Sequence, residues 1–554
     1  MGVRVPLLAL LRPGSKSSGQ KSPIYPIAVF GSLAVVFLLC FFPVQSCDIF
    51  IYLELARRFF ADLSFPATDP FLFSTTNPGW HVFHEWAAYV SYYTFYLAAG
   101  WAGIIFFKTA IILSTFSLPY ILHRKKAAQS LFVPVFVTAL AFAASFRFVE
   151  RSSLFSDALL ALVFFFILFA KDKPRSKTLF FIPLVFLFWV NFHPGFHLGL
   201  AVLFFWILSE FAKRLFSKEA RQLDKNVLVQ ISIFVFSTLA CFVNPAGIRG
   251  FWYPFSLIGN EKWDLYRKYN FEWMSPFDAR YVHTPGIIFF FLLLTVLGIL
   301  LLFALFKTWR NKRSELPIFE LLVFVLLAYL GLSAVRFVTT ASFSMAICFV
   351  SLMGKLDISP RKSAKAVPRI SKRIFGTIVL VGLLFTILKL LFGGYDSLAG
   401  PRHLASGMDE NHNPVKAAEF IDSVGLNVNI FNQHEFGAYL IWKWHGKRKL
   451  YYHGFVVDFD FYENDYLGAN ESRRNFDRIV NEYNIGAFLL TTMPFTPTQG
   501  PLLYRILLLD PNWQLVYAGR TAMIFVRDIP ENRHIIERYA NPNTQGLRLI
   551  PHEQ

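Results

Sequence analysis

The sequence predicts a polytopic α-helical membrane protein that carries a soluble α/β domain at its carboxyl end. Of its 554 residues, 55% are apolar and 18% are aromatic, with 65 Phe, and soluble proteins do not have this composition. Apolar stretches of membrane-crossing length recur from Ile24 to about Phe392 and then stop. We therefore expect a membrane domain, residues 1–395, followed by an extracytoplasmic domain, residues 396–554.

Basic residues lie in short segments between the apolar stretches, although the formal net charge of +18 is large. Nucleic-acid-binding proteins gather such charge on one face of a domain, so no nucleic-acid partner is predicted. Positively charged loops stay on the cytoplasmic side of a membrane, which predicts a cytoplasmic location for all of these segments. They contain Arg12/Lys16/Lys21, Arg124/Lys125/Lys126, Lys171/Lys173/Arg175/Lys177, Lys213/Arg214/Lys218, Lys307/Arg310/Lys312/Arg313 and the run from Lys355 to Arg373.

The stretch from Trp86 to Leu122 is long enough for two helices with a break near Ala98-Ala99-Gly100. If both helices crossed the membrane, every later basic segment would lie outside. We therefore predict that residues 86–100 form a juxtamembrane or re-entrant segment. About 11 crossings from a cytoplasmic amino terminus then place the tail outside. The predicted spans are roughly 24–44, 101–122, 131–149, 153–170, 178–192, 196–212, 227–245, 284–306, 317–335, 338–354 and 374–392.

The first outer loop, Cys47 to Trp86, is large and places acidic residues between aromatic ones. Asp48 directly follows the first span, and its spacing with Tyr52 and Leu55 fits one face of a short helix. Asp48 is therefore either an N-terminal helix cap or a general base at the mouth of a cavity.

Four other polar residues of this loop complete the list of candidates. Asp69, in FPATDP, and Glu85, in FHEW, are the alternative catalytic carboxylates. His84 is a candidate to bind substrate or phosphate, because it precedes Glu85 at the predicted membrane surface. Arg58 is expected to be a solvated charge whose loss matters by no more than about 1 kcal/mol.

Several charged residues lie at the predicted outer ends of apolar segments. Arg147 and Arg151, in FRFVERSS, have the i, i+4 spacing of one helical face, with Glu150 beside them. They form either a structural ion pair of Glu150 with Arg151, with snorkelling to lipid phosphates, or an anion site for a phosphate. Arg336, in SAVRFV, has no neutralising neighbour in sequence, and Glu272, in FEWMSP, is expected on the same outer face. Glu150 aside, we expect the charged residues of these segments to bind substrate or phosphate, namely Arg147, Arg151, Arg336 and Glu272.

The segment NFHPGFH contains two histidines, His193 and His197, with a proline and a glycine between them. Pro194 and Gly195 predict a turn, so a metal pair on one helical face is not available. His193 is either a loop residue that hydrogen-bonds a phosphate or sugar, or a plain polar residue. No metal ligand set and no certain cofactor are predicted, and a divalent-metal requirement is left open.

The tail alternates helical and strand patterns, which predicts a small α/β domain. It lacks a glycine-rich phosphate loop, so we expect no nucleotide-binding role. An acceptor-recognising or partner-binding module is one interpretation, and structural support of the outer loops is the other. The expected helices are 414–424, 436–444, 473–483 and 502–508, and the expected strands are 427–431, 449–452, 487–491, 513–517 and 523–526.

The order of these features resembles the C-type glycosyltransferase superfamily, multi-span enzymes that use polyprenyl-phosphate-linked sugars. The matching features are Asp48 at the end of a span, DPFLFST, W-x3-HEW, NFHPGF, the EW of FEWMSP, and Arg336. The tail also resembles an uncharacterised bacterial branch, with P-x2-A from Pro414 and then Gly-x-Tyr-Leu from Gly437. Where those relatives have an Asp-Gly-Arg-like triplet, this chain has His453-Gly454-Phe455, which puts a ligand role of that position in doubt.

The resemblance implies an inverting transferase on the outer face of a bacterial cytoplasmic membrane. Nucleotide sugars are absent there, so the donor is a polyprenyl-phosphate-linked sugar in the lipid bilayer, and the acceptor is an unknown glycan, lipid or protein. Asp48 would accept the acceptor proton, while arginine or histidine stabilises the departing phosphate.

Two other functions compete with transfer. A flippase or transporter of lipid-linked glycans would also need an outer polar cavity with arginines. Transport predicts internal repeats and polar residues deep in the spans, and the sequence shows neither. A non-catalytic membrane scaffold would leave Asp48 and Arg336 replaceable.

Overall fold

Apolar helices make up the amino-terminal part of the computed structural model, which describes residues 24–80, 83–123, 130–171, 176–216, 225–256, 267–268, 270–311, 316–356, 369–397, 400–492 and 501–540. Most of the basic residues of the predicted cytoplasmic loops lie outside these ranges. In chain order the helices are α1 (Ile24–Cys40), α2 (Asp48–Asp62), α3 (Trp86–His123), α4 (Phe132–Ala144), α5 (Ser153–Lys171), α6 (Ile182–Phe192), α7 (Phe196–Phe216), α8 (Lys225–Ala240), α9 (Ile248–Ser256), α10 (Pro285–Asn311), α11 (Ile318–Ser333), α12 (Phe337–Leu356) and α13 (Arg369–Gly393).

Apolar helices are found at every predicted span. Within the described ranges, six helices are long and apolar enough to cross a membrane: Phe83–Leu122, Ser153–Ala170, Phe196–Arg214, Pro285–Arg310, Phe337–Leu356 and Arg373–Gly393. Five shorter apolar helices of 10–17 residues are Ile24–Cys40, Phe132–Arg147, Lys177–Phe192, Asn226–Ala240 and Ile318–Ser333. The chain therefore has several membrane-length helices, and the predicted number of crossings stays a prediction.

Helix α3 is a hairpin of two helices. Ala99 and Gly100 leave the helical conformation, and Gly100 has a φ of 58°. The rings of Phe95 and Phe107 lie 4.1 Å apart, although 12 residues of straight helix would separate them by about 18 Å. Gly103 permits the close return, because a Cβ there would collide with the Phe95 carbonyl oxygen. The predicted break is confirmed, while a juxtamembrane or re-entrant location of residues 86–100 stays a prediction.

Helix α12 lies at the centre of the helical part. Nearly all of its side chains, from Val338 to Leu352, are buried. It packs against α4, α5, α10 and α11, while α13 packs on α1 at the other side. The loop before α12 therefore opens directly above the core of the helical part.

A mixed sheet and its helices make up the carboxyl-terminal part. The four strands of the sheet lie in the order Asn429–Asn432, Ile485–Thr491, Ala522–Arg527 and Trp513–Ala518, and only the first two are parallel to each other. These elements confirm the predicted α/β architecture, with the exception of one strand, and the boundary at residue 395 stays a prediction. They are β1 (Tyr395–Ser397), β2 (Gly400–Arg402), α14 (Val415–Ser423), β3 (Asn429–Asn432), α15 (His434–Lys443), α16 (Arg473–Glu482), β4 (Ile485–Thr491), α17 (Pro501–Leu509), β5 (Trp513–Ala518), β6 (Ala522–Arg527) and α18 (Arg533–Tyr539).

The strand predicted at residues 449–452 is wrong, because this segment does not join the sheet. Its backbone pairs with the first outer loop instead: Leu450 N–H donates to the Phe71 carbonyl at 2.8 Å, and Phe73 N–H donates to the Leu450 carbonyl at 3.1 Å. The segment is extended, as its sequence indicates, but its partner comes from the membrane domain. It fastens the outer loop to the tail.

Helix α2 forms a second connection between the two parts of the chain. Phe50 packs edge-on against Tyr439 of α15, with ring centroids 5.2 Å apart. The expectation of a solvated Arg58 is wrong: its Nε donates to the buried Glu54 at 2.9 Å, and its guanidinium lies 4.8 Å from the ring of Phe71. The tail is thus held against the beginning of the membrane domain.

Candidate active site

Three arginines meet around Glu272. Arg147 Nη1 lies 2.8 Å from Glu272 Oε2, and Arg151 Nη1 donates to Oε1 of the same carboxylate. The backbone N–H of Arg336 donates to the Glu272 carbonyl oxygen at 3.0 Å, which fixes the loop before α12 beside the carboxylate. The four residues come from three separate loops, and all were predicted to bind substrate or phosphate.

The cluster carries more positive than negative charge. The Arg336 guanidinium lies 4.2 Å from the ring centroid of Trp273, and among the described residues no carboxylate lies within ion-pair distance of it. Burial and the neighbouring Arg147 lower the pKa of Arg336 to about 10, although Glu272 opposes the shift. Burial alone would raise the pKa of Glu272, but the three arginines outweigh it and hold this pKa well below its ordinary value. An added anion would therefore be stabilised here.

The predicted helical face of Arg147 and Arg151 is wrong. Helix α4 ends at Ala144, and a 3₁₀ turn continues only to Arg147. The chain then turns because Glu150 points away from the cluster, pairs with Lys108 at 2.6 Å, and accepts the N–H groups of residues 45 and 46. The alternative ion pair of Glu150 with Arg151 is therefore also wrong. Both arginines nevertheless reach Glu272 from the resulting loop.

Asp48 lies at the edge of this cluster. It is the first residue of α2, and its Oδ2 lies 3.3 Å from Arg151 Nε. The residue before the helix, Cys47, makes no side-chain capping bond, and Asp48 is the acidic residue of the first turn, so the interpretations of Asp48 as a cap and as a general base both stay open. Its side chain keeps 22% of its surface exposed, and a Cβ added to Gly454 would lie 3.7 Å from Oδ1. An accessible carboxylate thus faces both the arginines and the tail.

His84, Glu85 and His193 form a second group of predicted residues. Glu85 Oε1 lies 3.6 Å from His84 Nε2 and 3.8 Å from His193 Nε2. Tyr89 donates to Glu85 Oε2 at 3.4 Å, and the Tyr89 ring stacks on Tyr52 of α2 at 4.6 Å. The stacked tyrosines connect this group with the helix that begins at Asp48.

The hydrogen bonds of His193 determine its tautomer. Nδ1 accepts the Gly195 N–H at 3.0 Å and lies 2.7 Å from the Ser156 hydroxyl, whose oxygen accepts Trp189 Nε1–H at 2.6 Å. An accepting Nδ1 places the proton of the neutral ring on Nε2, which faces Glu85. Burial and then Arg336 hold the pKa of His193 well below its ordinary value. His193 is therefore a neutral donor next to the arginine cluster.

The predicted turn between the two histidines is confirmed, since α6 ends at Phe192 and α7 begins at Phe196. His197 turns away, with Nδ1 2.8 Å from the Pro194 carbonyl oxygen. Within the described residues, no group of three or more His, Cys, Asp or Glu side chains could hold a metal ion. A metal requirement stays open.

Asp69, an alternative catalytic candidate, lies apart from the site. Its fully buried carboxylate pairs with His453 Nε2 at 2.9 Å and also accepts Asn77 Nδ2–H at 2.8 Å and the Phe71 N–H at 3.0 Å. Because Asp69 is buried and bonded to these three donors, it connects the outer loop to the tail. The structure does not support its catalytic interpretation. The sequence could not reveal this, because His453 is 384 residues away.

Sequence reasoning missed two residues that face Asp48, His434 and Glu435. They open α15 directly after β3, at the carboxyl end of a strand that is parallel to its neighbour. This edge is where α/β sheets place their ligands. The polar pair at a strand-to-helix junction was therefore an available signal.

Searches against known proteins found structural likeness without sequence matches. No protein-family model matches the chain, and no curated protein matches it. The crystal structure of the Archaeoglobus fulgidus oligosaccharyltransferase tethered to an acceptor peptide with the NVT sequon matches with a TM-score of 0.53 and 11% identity, over 92% of this chain and 74% of that one.

Two further solved structures match less closely. The same Archaeoglobus fulgidus enzyme in complex with Zn and sulfate gives a TM-score of 0.46 at 11% identity, over 90% of this chain and 73% of that one. The arabinofuranosyltransferase AftD from Mycobacteria gives 0.48 at 12% identity, over 93% of this chain and 40% of that one.

The first match shows a shared fold. This chain therefore has the fold of that oligosaccharyltransferase over nearly its whole length, and the superfamily stays a resemblance. The bacterial branch, the donor and the acceptor stay predictions.

Proposed function

We propose that this chain is a glycosyltransferase that moves a sugar from a polyprenyl-phosphate-linked donor to an acceptor on the outer face of the cytoplasmic membrane. The observation that carries the proposal is the convergence of Arg147, Arg151 and Arg336 around Glu272, with an accessible Asp48 beside Arg151. The oligosaccharyltransferase fold supports the same class of reaction.

The donor phosphate would bind to the arginine cluster. A charged side chain near the hydrocarbon costs about 2.5–3.5 kcal/mol on insertion scales, so Arg336, which has no carboxylate within ion-pair distance among the described residues, favours an additional anion. Arg336 is best placed to supply it with hydrogen bonds, because its guanidinium rests on Trp273 and not on a carboxylate. Guanidinium binds a phosphate through two parallel N–H bonds, and the polyprenyl chain would remain among the apolar helices.

Asp48 would be the general base. Its carboxylate takes the proton of the acceptor as the acceptor atom bonds to the anomeric carbon, and the carbon–oxygen bond to the phosphate breaks. The electron pair of that bond leaves with the phosphate, whose growing charge the arginines stabilise. Direct displacement inverts the anomeric centre, by analogy with inverting glycoside hydrolysis. Arg151 contacts both Asp48 and Glu272, so it would hold the base beside the arginine cluster.

The test measures release of polyprenyl phosphate from radiolabelled polyprenyl-phosphate sugars by the purified protein, with a panel of sugars and acceptors. We expect Asp48→Asn to reduce turnover by about 10²–10⁴-fold with donor binding retained, because it keeps the shape and loses the proton acceptor. Arg336→Lys should weaken donor use, and Arg336→Ala should weaken it further, because lysine keeps the charge without the bidentate fork.

The matched control is Arg280→Ala. Arg280 pairs with Asp278 at 2.7 Å and keeps 48% of its side chain exposed, in the segment that follows Glu272. Equal, small effects of Arg336→Ala and Arg280→Ala on donor KM would refute the phosphate site. Movement of the intact donor across a vesicle bilayer, without release of polyprenyl phosphate, would favour the flippase instead.

A further inference from the structure

Two residues of the tail, His434 and Glu435, face Asp48 and have no role in the proposed transfer so far. Helices α2 and α15 run side by side in the same direction, because Phe50 packs on Tyr439 and His445 Nδ1 lies 3.6 Å from Glu54 Oε2. The first residues of both helices therefore meet at one place. His434 stands at that end of α15, opposite Asp48 at the same end of α2.

His434 and Glu435 are paired, and each keeps about a third of its side chain exposed, 32% and 34%. His434 Nδ1 lies 3.0 Å from Glu435 Oε2. Among the described residues, neither atom makes a hydrogen bond, so the contact is electrostatic, and the other ring nitrogen, Nε2, is left for a ligand. Burial would lower the pKa of His434, but Glu435 and the more distant Asp48 outweigh it and raise this pKa. Asp48 and His434 thus lie within electrostatic reach of each other.

The space between Asp48 and this pair is bordered by Gly454 and Phe455. Gly454 is exposed and, without a side chain, leaves the Asp48 carboxylate uncovered. Phe455 stands edge-on to Tyr52 at 5.9 Å between ring centroids and keeps part of its surface exposed. An aromatic ring beside hydrogen-bonding side chains suits a sugar, which presents hydroxyls at its rim and C–H groups on its face.

A peptide strand could not pair with the nearest sheet edge. The Asn432 side chain closes the outer side of β3: its Oδ1 accepts the Tyr451 N–H at 3.1 Å, and its Nδ2 donates to the Tyr452 carbonyl at 2.8 Å. Addition of a peptide as a further strand needs a free edge. The described surroundings of Asp48 therefore favour recognition by side chains over recognition of an extended backbone.

We infer that the acceptor is a hydroxyl-bearing sugar that binds between Asp48 and the His434–Glu435 pair, with these two tail residues positioning it. The inference rests on the proposed function and names the acceptor class of the same site. A hydroxyl both donates and accepts, so it donates its proton to Asp48 and accepts a hydrogen bond from His434 Nε2–H. A second hydroxyl of the ring donates to Glu435. The attacking oxygen bonds to the anomeric carbon, its proton goes to Asp48, and the donor phosphate leaves with the electron pair.

The test uses octyl glycosides as acceptors and compares their KM with the donor KM. For His434→Ala we expect the glycoside KM to rise about tenfold or more, the scale of one lost hydrogen bond to a charged or polarised partner, with the donor KM unchanged. His434→Gln places an amide near the position of Nε2 and should restore part of the loss. Gly454→Leu should cover Asp48 and abolish transfer to the glycoside, while donor binding stays as in the wild type.

His534→Ala is the matched control, because His534 is an exposed histidine of the same domain whose Nε2 lies 3.3 Å from the Val424 carbonyl oxygen. An unchanged glycoside KM in His434→Ala together with wild-type transfer in Gly454→Leu would overturn the inference. So would transfer to a hydroxyl- or amide-bearing peptide but to no glycoside. If Asp48→Asn still abolished that transfer, the proposed function would survive and only the acceptor site would fail. If the wild type released no polyprenyl phosphate with any donor, both would fail.

Discussion

A single buried arginine of the tail supports the proposed phosphate site. Arg402 is 2% exposed, and it donates to the Ser145 and Phe146 carbonyls, the latter at 2.9 Å. These carbonyls directly precede Arg147, so Arg402 holds the turn that directs Arg147 at Glu272. The Arg402 guanidinium also lies 4.0 Å from the ring of Phe42.

Arg402→Met should therefore weaken both stability and donor use. Methionine keeps an unbranched apolar chain but leaves the Phe146 carbonyl without its donor, which costs about 1–3 kcal/mol, while the Ser145 carbonyl still accepts the Phe148 N–H. We expect a lower thermal unfolding temperature of the detergent-solubilised protein and a donor KM at least a few-fold higher. The exposed Arg533→Met is the control. A reduced unfolding temperature with an unchanged donor KM would show that Arg402 does not position Arg147.

The sequence predicted correctly which charged residues come together, but it did not predict the backbone conformation that directs their side chains. Arg147, Arg151, Arg336 and Glu272 were grouped because each is an expensive charge at an apolar segment end, and they do meet. The helical face assumed for two of them was wrong, because Glu150 turns to Lys108 and breaks the helix. Sequence spacing gives the i, i+4 relation only if the backbone stays helical, and a distant partner decided that it does not.

At the scale of elements, the first outer loop is the feature that joins the two parts of the chain. Its backbone pairs with residues 449–452, and its buried Asp69 accepts a hydrogen bond from His453 Nε2–H, while His453 Nδ1 accepts the Phe455 N–H. Removal of a hydrogen-bond partner from a buried group costs about 1–3 kcal/mol, and more when that group is charged. The docking of this loop therefore depends on the ionisation of Asp69.

Asp69→Asn should destabilise the protein in a pH-dependent way. Burial alone would raise the pKa of Asp69, but His453 and the hydrogen bonds from Asn77 and Phe71 hold it below its ordinary value. A carboxylate with a lowered folded-state pKa stabilises the fold above its unfolded pKa of about 3.9, and this contribution is lost as pH falls through the folded value.

Thermal unfolding at pH 7, 4 and 2.5 measures this contribution. We expect the unfolding temperature of the wild type to be higher than that of Asp69→Asn at pH 7. This difference in unfolding temperature should become smaller below about pH 4. The exposed Asp460→Asn is the control, with no such difference. A difference that stays constant from pH 7 to 2.5 would mean that the charge of Asp69 does not stabilise the docked loop.

Elements were predictable from the sequence, but their partners were not. Apolar length gave the helices, and the Ala-Ala-Gly break gave the hairpin of α3, because glycine alone readily adopts the positive φ of Gly100. Alternation gave an extended segment at 449–452, yet its partner was the outer loop and not the sheet. The periodicity of apolar residues predicts the backbone conformation of a segment. The strand or loop with which that segment pairs depends on tertiary contacts.

For the whole molecule, the location of Asp48 next to both the arginine cluster and the tail leads to one requirement. Asp48, the three arginines and the tail must lie on the same side of the membrane, because the tail contacts Asp48 through Gly454 and the arginines contact it through Arg151. The sequence predicted this side from its basic loops alone. The contact itself was unpredictable, because it joins residues about 400 positions apart in the chain.

Cysteine labelling of intact cells decides which side that is. We expect a membrane-impermeant maleimide to label Lys416→Cys, an exposed position of α14, and to spare Lys125→Cys, in a predicted cytoplasmic loop outside the described residues, until the cells are opened. Both variants are made in a Cys47→Ser background, because the other three native cysteines are buried and Cys47 is partly accessible. Labelling of Lys125→Cys alone in intact cells would put the tail and Asp48 in the cytoplasm, where nucleotide sugars are available, and would remove the reason for a lipid-linked donor. Labelling of both would leave the tail outside but contradict the predicted crossings before residue 125.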